Sequence, residues 1–308
     1  AGCAGGSRME IRLPVKRQYT EGKRAVLTLT GLQGGHSGTE IDKGRGNANI
    51  LLARVLSALQ GEVNYRIVSL EGGEKDNAIP TWSRAELLVP FEKTYKLEEI
   101  CAVCGEELKK EYALTDPELQ VQFQYGNETG GDAFDEKSTE TSLALLLALP
   151  NGVQAMSKDI PGLVETSLNL GIMRTDEKGL ALSYALRSSV EAEKKHLTGK
   201  IKILTEYMGG IAETGGIYPA WEYRRVRNPG RQDPESGLRI HGSRDPGHPY
   251  DGGTYEHFLS AADVGVYTGD CEDEKVICNP AEGSCFWRAL CGIFEKLQIR
   301  NSARRAVF

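Results

Sequence analysis

No stretch of the 308 residues is apolar over the length that crosses a bilayer, which sets aside a helical membrane anchor. Charge of one sign is missing too: 37 lysines and arginines stand against 43 aspartates and glutamates, a net of −6 without long single-sign runs. A nucleic-acid surface needs a basic stripe, so neither nucleic acid nor a membrane is an expected partner. No basic start followed by an apolar core marks a secretory signal. The seven cysteines, Cys3, Cys101, Cys104, Cys271, Cys278, Cys285 and Cys291, are odd in number, which favours reduced thiols and a cytoplasmic location. Cys101 and Cys104 lack a second CxxC and sit in a helical stretch, so they read as small core residues rather than zinc ligands. The four late cysteines are too loosely spaced for a metal site.

What is present centres on residues 27–49. The alternating run Val26-Leu27-Thr28-Leu29-Thr30 predicts a strand that runs into Gly31 and then Gly34-Gly35-His36-Ser37-Gly38. Glycines on both sides of one histidine let the backbone turn sharply and approach another group closely. A second loop, Asp42 to Asn47, precedes a helix over about 48–59, where Ile50, Leu51, Val55, Leu56 and Leu59 recur at helical spacing and bury one face. Alone, such a histidine reads as a solvated turn residue or as a cap on the following helix.

At this length the chain has room for one large or two ordinary domains. Alternation predicts a strand over 9–17. The next elements are strand 24–30, helix 48–59, strands 64–70 and 83–90, helix 96–112 and strand 120–125. That is a β-α-β-β-α-β unit, an antiparallel sheet with helices on one face and an α+β fold class. Residues 126–138 are polar and glycine-rich and read as a linker. A second, partial copy follows: helix 139–149, strands 165–173 and 181–188, helix 190–208 and strand 211–215. Ser189 reads as the N-cap of the last helix, with Glu191 and Glu193 in its first turn. Past Arg225 the text turns to proline, glycine, arginine and aspartate with little apolar periodicity, until Phe286-Trp287-Arg288-Ala289-Leu290 to Leu297 resembles an amphipathic helix.

Five stretches in order resemble the M20 metallopeptidase family, nearest its aminoacyl-histidine dipeptidase branch, over about residues 1–225. They are residues 27–49, Asp76-Asn77-Ala78-Ile79-Pro80, Leu149 to Ser157, Leu186-Arg187-Ser188-Ser189 and Gly216-Ile217-Tyr218-Pro219-Ala220-Trp221. The resemblance implies that 1–17 ends a catalytic-domain segment and that 18–215 is a lid of two halves, about 18–126 and 139–215. Residues 216–308 would return to an α/β catalytic domain, atypical after 225. A frame change in the coding sequence near Arg225 would account for that, since His241, His248 and His257 match no ligand motif of the family. Because the chain starts at Ala1 on Gly-Cys-Ala-Gly-Gly, a piece cut from a longer protein is expected.

The resemblance also assigns roles. The lid histidine, His36, would donate a hydrogen bond to the oxyanion formed in a catalytic centre on another unit. Asn77, otherwise ordinary turn chemistry, would contact substrate. Arg187, otherwise a surface ion pair, would grip the substrate's free carboxylate, ahead of Arg84 and Arg45. Tyr218-Pro219-Ala220-Trp221 would mark the return from the lid, with Gly215-Gly216 as its hinge; a packed aromatic corner explains it equally well. The expected cofactor is zinc at a two-metal site, but no HxD followed by a Glu-Glu pair occurs here, so no metal ligand and no general base is assigned. The expectation is a cytosolic dipeptidase acting on Xaa-His and related dipeptides, with a homodimer in view, whose present portion is inactive by itself. The competing readings are a non-catalytic dimerisation or peptide-binding module and a zinc-stabilised structural protein using the late cysteines.

Overall fold

A computed structural model describes residues 4–220. In chain order they form β1 (Gly5–Leu13), β2 (Arg17–Thr30), β3 (Gly35–His36), α1 (Ala48–Val63), β4 (Arg66–Gly72), β5 (Ala78–Ile79), β6 (Ser83–Val89) and α2 (Thr94–Glu111). Then come β7 (Gln120–Phe134), α3 (Glu136–Ala148), β8 (Gly152–Met156), β9 (Val164–Asp176), β10 (Gly179–Ser188), α4 (Glu191–Tyr207) and β11 (Ile211–Tyr218). Trp221, His241, His248, His257, the late cysteines, residues 286–297 and the region of the suspected frame change lie outside the described residues. Among the described residues no helix is long and apolar enough to cross a membrane.

One antiparallel sheet carries the strands in the order β11-β1-β10-β9-β4-β6-β2-β7, with β8 paired to β9 off that path. The expected α+β class and the β-α-β-β-α-β unit are both there. The first unit is β2-α1-β4-β6-α2-β7, whose strands lie β4-β6-β2-β7. The copy expected to be partial is whole once β1 is counted: β1-α3-β9-β10-α4-β11 lies β9-β10-β1-β11, the same spatial order. The entire first unit is inserted between the first strand of the second unit and its first helix. Gly5–Leu13, within the stretch 1–17 expected to end a catalytic segment, forms a strand between β10 and β11.

Local chemistry explains the elements. Met9, Ile11 and Leu13 alternate inward on β1, and Leu180, Leu182, Tyr184 and Leu186 do so on β10. The Asn47 side chain caps α1 by accepting from Asn49 and Ile50 N–H, and α1 ends where Asn64 takes a left-handed conformation. It runs past residue 59 to Val63 because that valine is still buried. Helix α1 packs between α2 and α3, which is why its apolar face is so wide.

Two expectations need correction. Residues 126–138 are no linker: β7 continues to Phe134, pairing Gly131 with Thr20 and Phe134 with Arg17, and Asp135 caps α3 through Ser138 N–H. Ladder bonds use only backbone groups, so a polar, glycine-bearing strand pairs without an apolar alternation to announce it. Ser189 is not the N-cap of α4. Val190 holds that position, and the Ser188 hydroxyl accepts its N–H at 3.0 Å.

The two units join along a narrow seam. Strands β4 and β9 share only the pairs Glu71↔Arg174 and Gly72↔Met173. The chain then turns at Gly73 and runs across β9. A Cβ at Gly73 would collide with the Gly171 carbonyl, and one at Gly171 with the backbone of Asp76. Both positions are glycine because two backbones touch there. Gly171→Val is expected to lower the urea midpoint by an amount equivalent to about 1–3 kcal/mol with an unchanged m-value, read by circular dichroism.

Candidate functional site

His36 stands on a two-residue strand pair, with Gly35 opposite Ile79 and His36 opposite Ala78. The hairpin is braced at close range. Ser37 N–H donates to the Asn77 carbonyl at 2.9 Å, and the Glu40 carboxylate accepts from His36 N–H at 2.9 Å. Arg45 holds Glu40 at 3.2 Å and also donates to the Gly34 carbonyl. Arg45 is thereby occupied, which removes it as a carboxylate clamp.

The imidazole has a fixed tautomer. Its Nδ1 accepts from Gly38 N–H at 3.2 Å and Thr39 N–H at 3.1 Å, with the Thr39 hydroxyl at 3.3 Å. A nitrogen accepting two backbone donors carries no proton, so the proton sits on Nε2. That N–H has no hydrogen-bond partner among the described residues and is free to donate outward.

Burial lowers the His36 pKa below its ordinary 6.5, the Arg187 charge lowers it further, and Glu40 partly opposes both. His36 is therefore neutral at pH 7. Hydrogen bonds from Lys43 and from His36 N–H hold the half-exposed Glu40 carboxyl down at about 2. Both groups respond to acid in one direction. Below pH 6.5 an unfolded chain binds the histidine proton more tightly than the native one, so stability falls as the pH drops towards the native pKa. The Glu40 contribution is present above its ordinary 4.5 and is lost as pH falls through about 2. Nitrogen-15 spectra of His36 are expected to show an Nε2-protonated ring at pH 7 and a midpoint below 6.5; an Nδ1-protonated ring contradicts the geometry.

Asn77 is exposed beside this hairpin, and its side chain has no protein partner among the described residues. Arg187 comes from the other unit. It lies on β10 between buried Leu186 and Ser188, and so points to the sheet face opposite the one those two occupy. It forms no ion pair among the described residues, and its Nε is buried without a partner. Its charge reaches His36. The Arg187 charge on the second unit is thus felt by His36 on the first, and Asn77 lies in the loop beside the His36 strand. Arg8 of β1 and Asp76 of the crossing loop form an ion pair over the same seam.

Sequence reasoning missed the supports: Glu40 behind His36, and Asn169 beneath Asn77. Asn169 sits fully buried in the run Ser167-Leu168-Asn169-Leu170 of β9. One amide inside a strand buried on both faces is the only signal it offers.

The arrangement is a set of donors, a neutral imidazole N–H, an exposed amide and an unpaired guanidinium, suited to an anion and an oxyanion. It does not suit a cation. Among the described residues no group of three His, Cys, Asp or Glu side chains converges to hold a metal.

Residues 27–116 match the family model of the M20 peptidase dimerisation domain. The chain is 34% identical over 224 residues to the cytosol non-specific dipeptidase of Escherichia coli (strain K12), across 72% of this chain and 46% of that protein. Its fold matches the crystal structure of aminoacylhistidine dipeptidase from Vibrio alginolyticus with a TM-score of 0.69 and 34% identity, over 72% of this chain and 45% of that one. Residues 27–116 belong to the M20 peptidase dimerisation family, and the chain is similar to the cytosol non-specific and aminoacylhistidine dipeptidases. It spans about half the length of the relatives it matches.

Proposed function

We propose that this chain is the substrate-holding lid of a cytosolic, metal-dependent dipeptidase that hydrolyses Xaa-His and related dipeptides. One observation carries the reading: a free Nε2–H on His36 and an unpaired Arg187, brought to one seam from two units. Arg187 grips the substrate's terminal carboxylate with two parallel charge-assisted bonds, which distinguishes a chain end from a chain middle. His36 donates to the carbonyl oxygen as it gains negative charge, and Asn77 orients the dipeptide between them. Zinc is the metal we assign to the parent enzyme, at a two-metal site; the described residues have no seat for it and no step is assigned to it. The lid spans residues 5–218, with the first unit (β2 to β7) inserted into the second, and the residues after 218 belong with the catalytic domain. A homodimer fits the description of the matched domain.

The test has two parts. The purified chain, supplied with zinc, is expected to turn over no dipeptide, and measurable hydrolysis contradicts that. A chimera with residues 5–218 in place of the matching segment of the Escherichia coli dipeptidase is expected to retain dipeptidase activity. A folded, dead chimera, together with a stable dimer of this chain by light scattering, favours a non-catalytic dimerisation module instead.

A further inference from the structure

Three asparagines lie where the units meet, Asn47 and Asn169 buried and Asn151 half-buried, each from a different segment. Asn169 on β9 is fully buried, and its amide donates to the Asp76 carbonyl at 3.1 Å and the Ala78 carbonyl at 2.8 Å. Those are the carbonyls on either side of Asn77. Its oxygen accepts from the Asn47 amide at 3.1 Å. Asn47, whose oxygen caps α1, also donates to the Leu170 carbonyl at 3.1 Å and to Asn151 at 3.4 Å. The Asn151 oxygen in turn accepts Leu170 N–H at 2.8 Å.

We infer that Asn169 is a positioning residue: with Asn47 and Asn151 it forms an amide latch that seats the His36–Asn77 hairpin of the first unit on β9 of the second. The inference goes beyond the assigned roles and rests on the proposed function only for its catalytic consequence. Geometry makes the link short. Asn169 is opposite Ala185 on β10, and Ser167 is opposite Arg187. Residues two apart on a strand share a face, so the backbone of Arg187 lies about 7 Å along the strands from the level of Asn169, on the same face. From Asn169 the path runs through the Ala78 carbonyl to Ala78, which is the register partner of His36.

Asparagine is suited to the task because it presents two donors and an acceptor in one plane. Aspartate lacks the donors, and leucine would leave the Asp76 and Ala78 carbonyls without this donor. The Gly73–Gly171 contact allows the backbone close enough for these bonds to form.

The experiment uses the 308-residue chain and no activity assay, so it can fail while the dipeptidase reading stands, and the reverse. In Asn169→Ala, hydrogen exchange at the Ser37 and Ala78 amides is expected to speed up about tenfold or more, with the Leu56 amide of α1 unchanged. The nuclear-resonance titration of His36 supplies the second readout. Arg187→Met is expected to raise the His36 midpoint in the wild-type background and to have little effect in the Asn169→Ala background, because the pair has separated. Uniform acceleration of all amides with the Arg187–His36 coupling intact shows a merely structural asparagine and overturns the inference. Should Asn169→Ala fail to fold, native-state exchange of the unaltered chain decides. Ser37 and Ala78 are expected to open together with Leu168 and Leu170 of β9, with one free energy and one denaturant slope; opening of the hairpin alone overturns the latch.

Discussion

His36→Ala in the chimera is expected to lower kcat by about 10²–10³, with KM changed by no more than a few-fold. The physical basis is timing. A ground-state carbonyl gains little from one more donor, whereas an oxyanion in a water-poor cleft gains a great deal. The donor is in place before substrate arrives: Gly38 and Thr39 N–H occupy Nδ1, so the ring needs neither to rotate nor to change tautomer. Burial and Arg187 keep the ring neutral, and neutral imidazole still donates from Nε2. His36→Gln tests the assignment further, since its amide can donate from the same side and is expected to recover part of the loss. A fall in kcat/KM carried wholly by KM would remove His36 from the transition state.

Arg187→Met is expected to reduce kcat/KM by about 10² for dipeptides with a free carboxylate, the worth of a charge-assisted bidentate contact at about 1.36 kcal/mol per decade. For the corresponding dipeptide amides, already poor substrates, the same change is expected to have little effect. That difference separates a carboxylate clamp from a residue that merely holds the fold. Arg187→Lys keeps the charge but loses the planar fork, and is expected to fall between the two. Two structural facts set the size of the effect: Arg187 is half-buried with an unpartnered Nε, and it makes no ion pair among the described residues. An arginine already held by a carboxylate would have to break that pair to bind substrate. Equal losses on acids and amides would contradict the assignment.

Most of the helices and the inner strands were legible because burial writes a period into the text. Leu51, Val55, Leu56 and Leu59 mark one face of α1, and Leu182, Tyr184 and Leu186 mark one side of β10. Residues 126–134 were not legible, since β7 there pairs with the polar Arg17–Thr20 and needs only backbone bonds. The strand β8 was missed for a similar reason: five residues on the edge of β9 carry little alternation. The second copy looked incomplete because its first strand lies far upstream of the rest, with the whole first unit between them.

By itself the sequence determined which segments become strands and helices and which residue types stand ready for chemistry, because periodic burial and turn chemistry are local. Only the tertiary structure decided which of those residues meet. Asn77 and Arg187 sit 110 positions apart, and nothing local in either stretch names the other. The seating of the Asn77 segment on β9, next to the β10 strand that carries Arg187, depends on β4 and β9 pairing edge to edge, on two glycines that let backbones touch, and on a buried amide that bonds across the seam. Those are contacts between distant segments, formed only when the sheet closes, and no window of neighbouring residues encodes them.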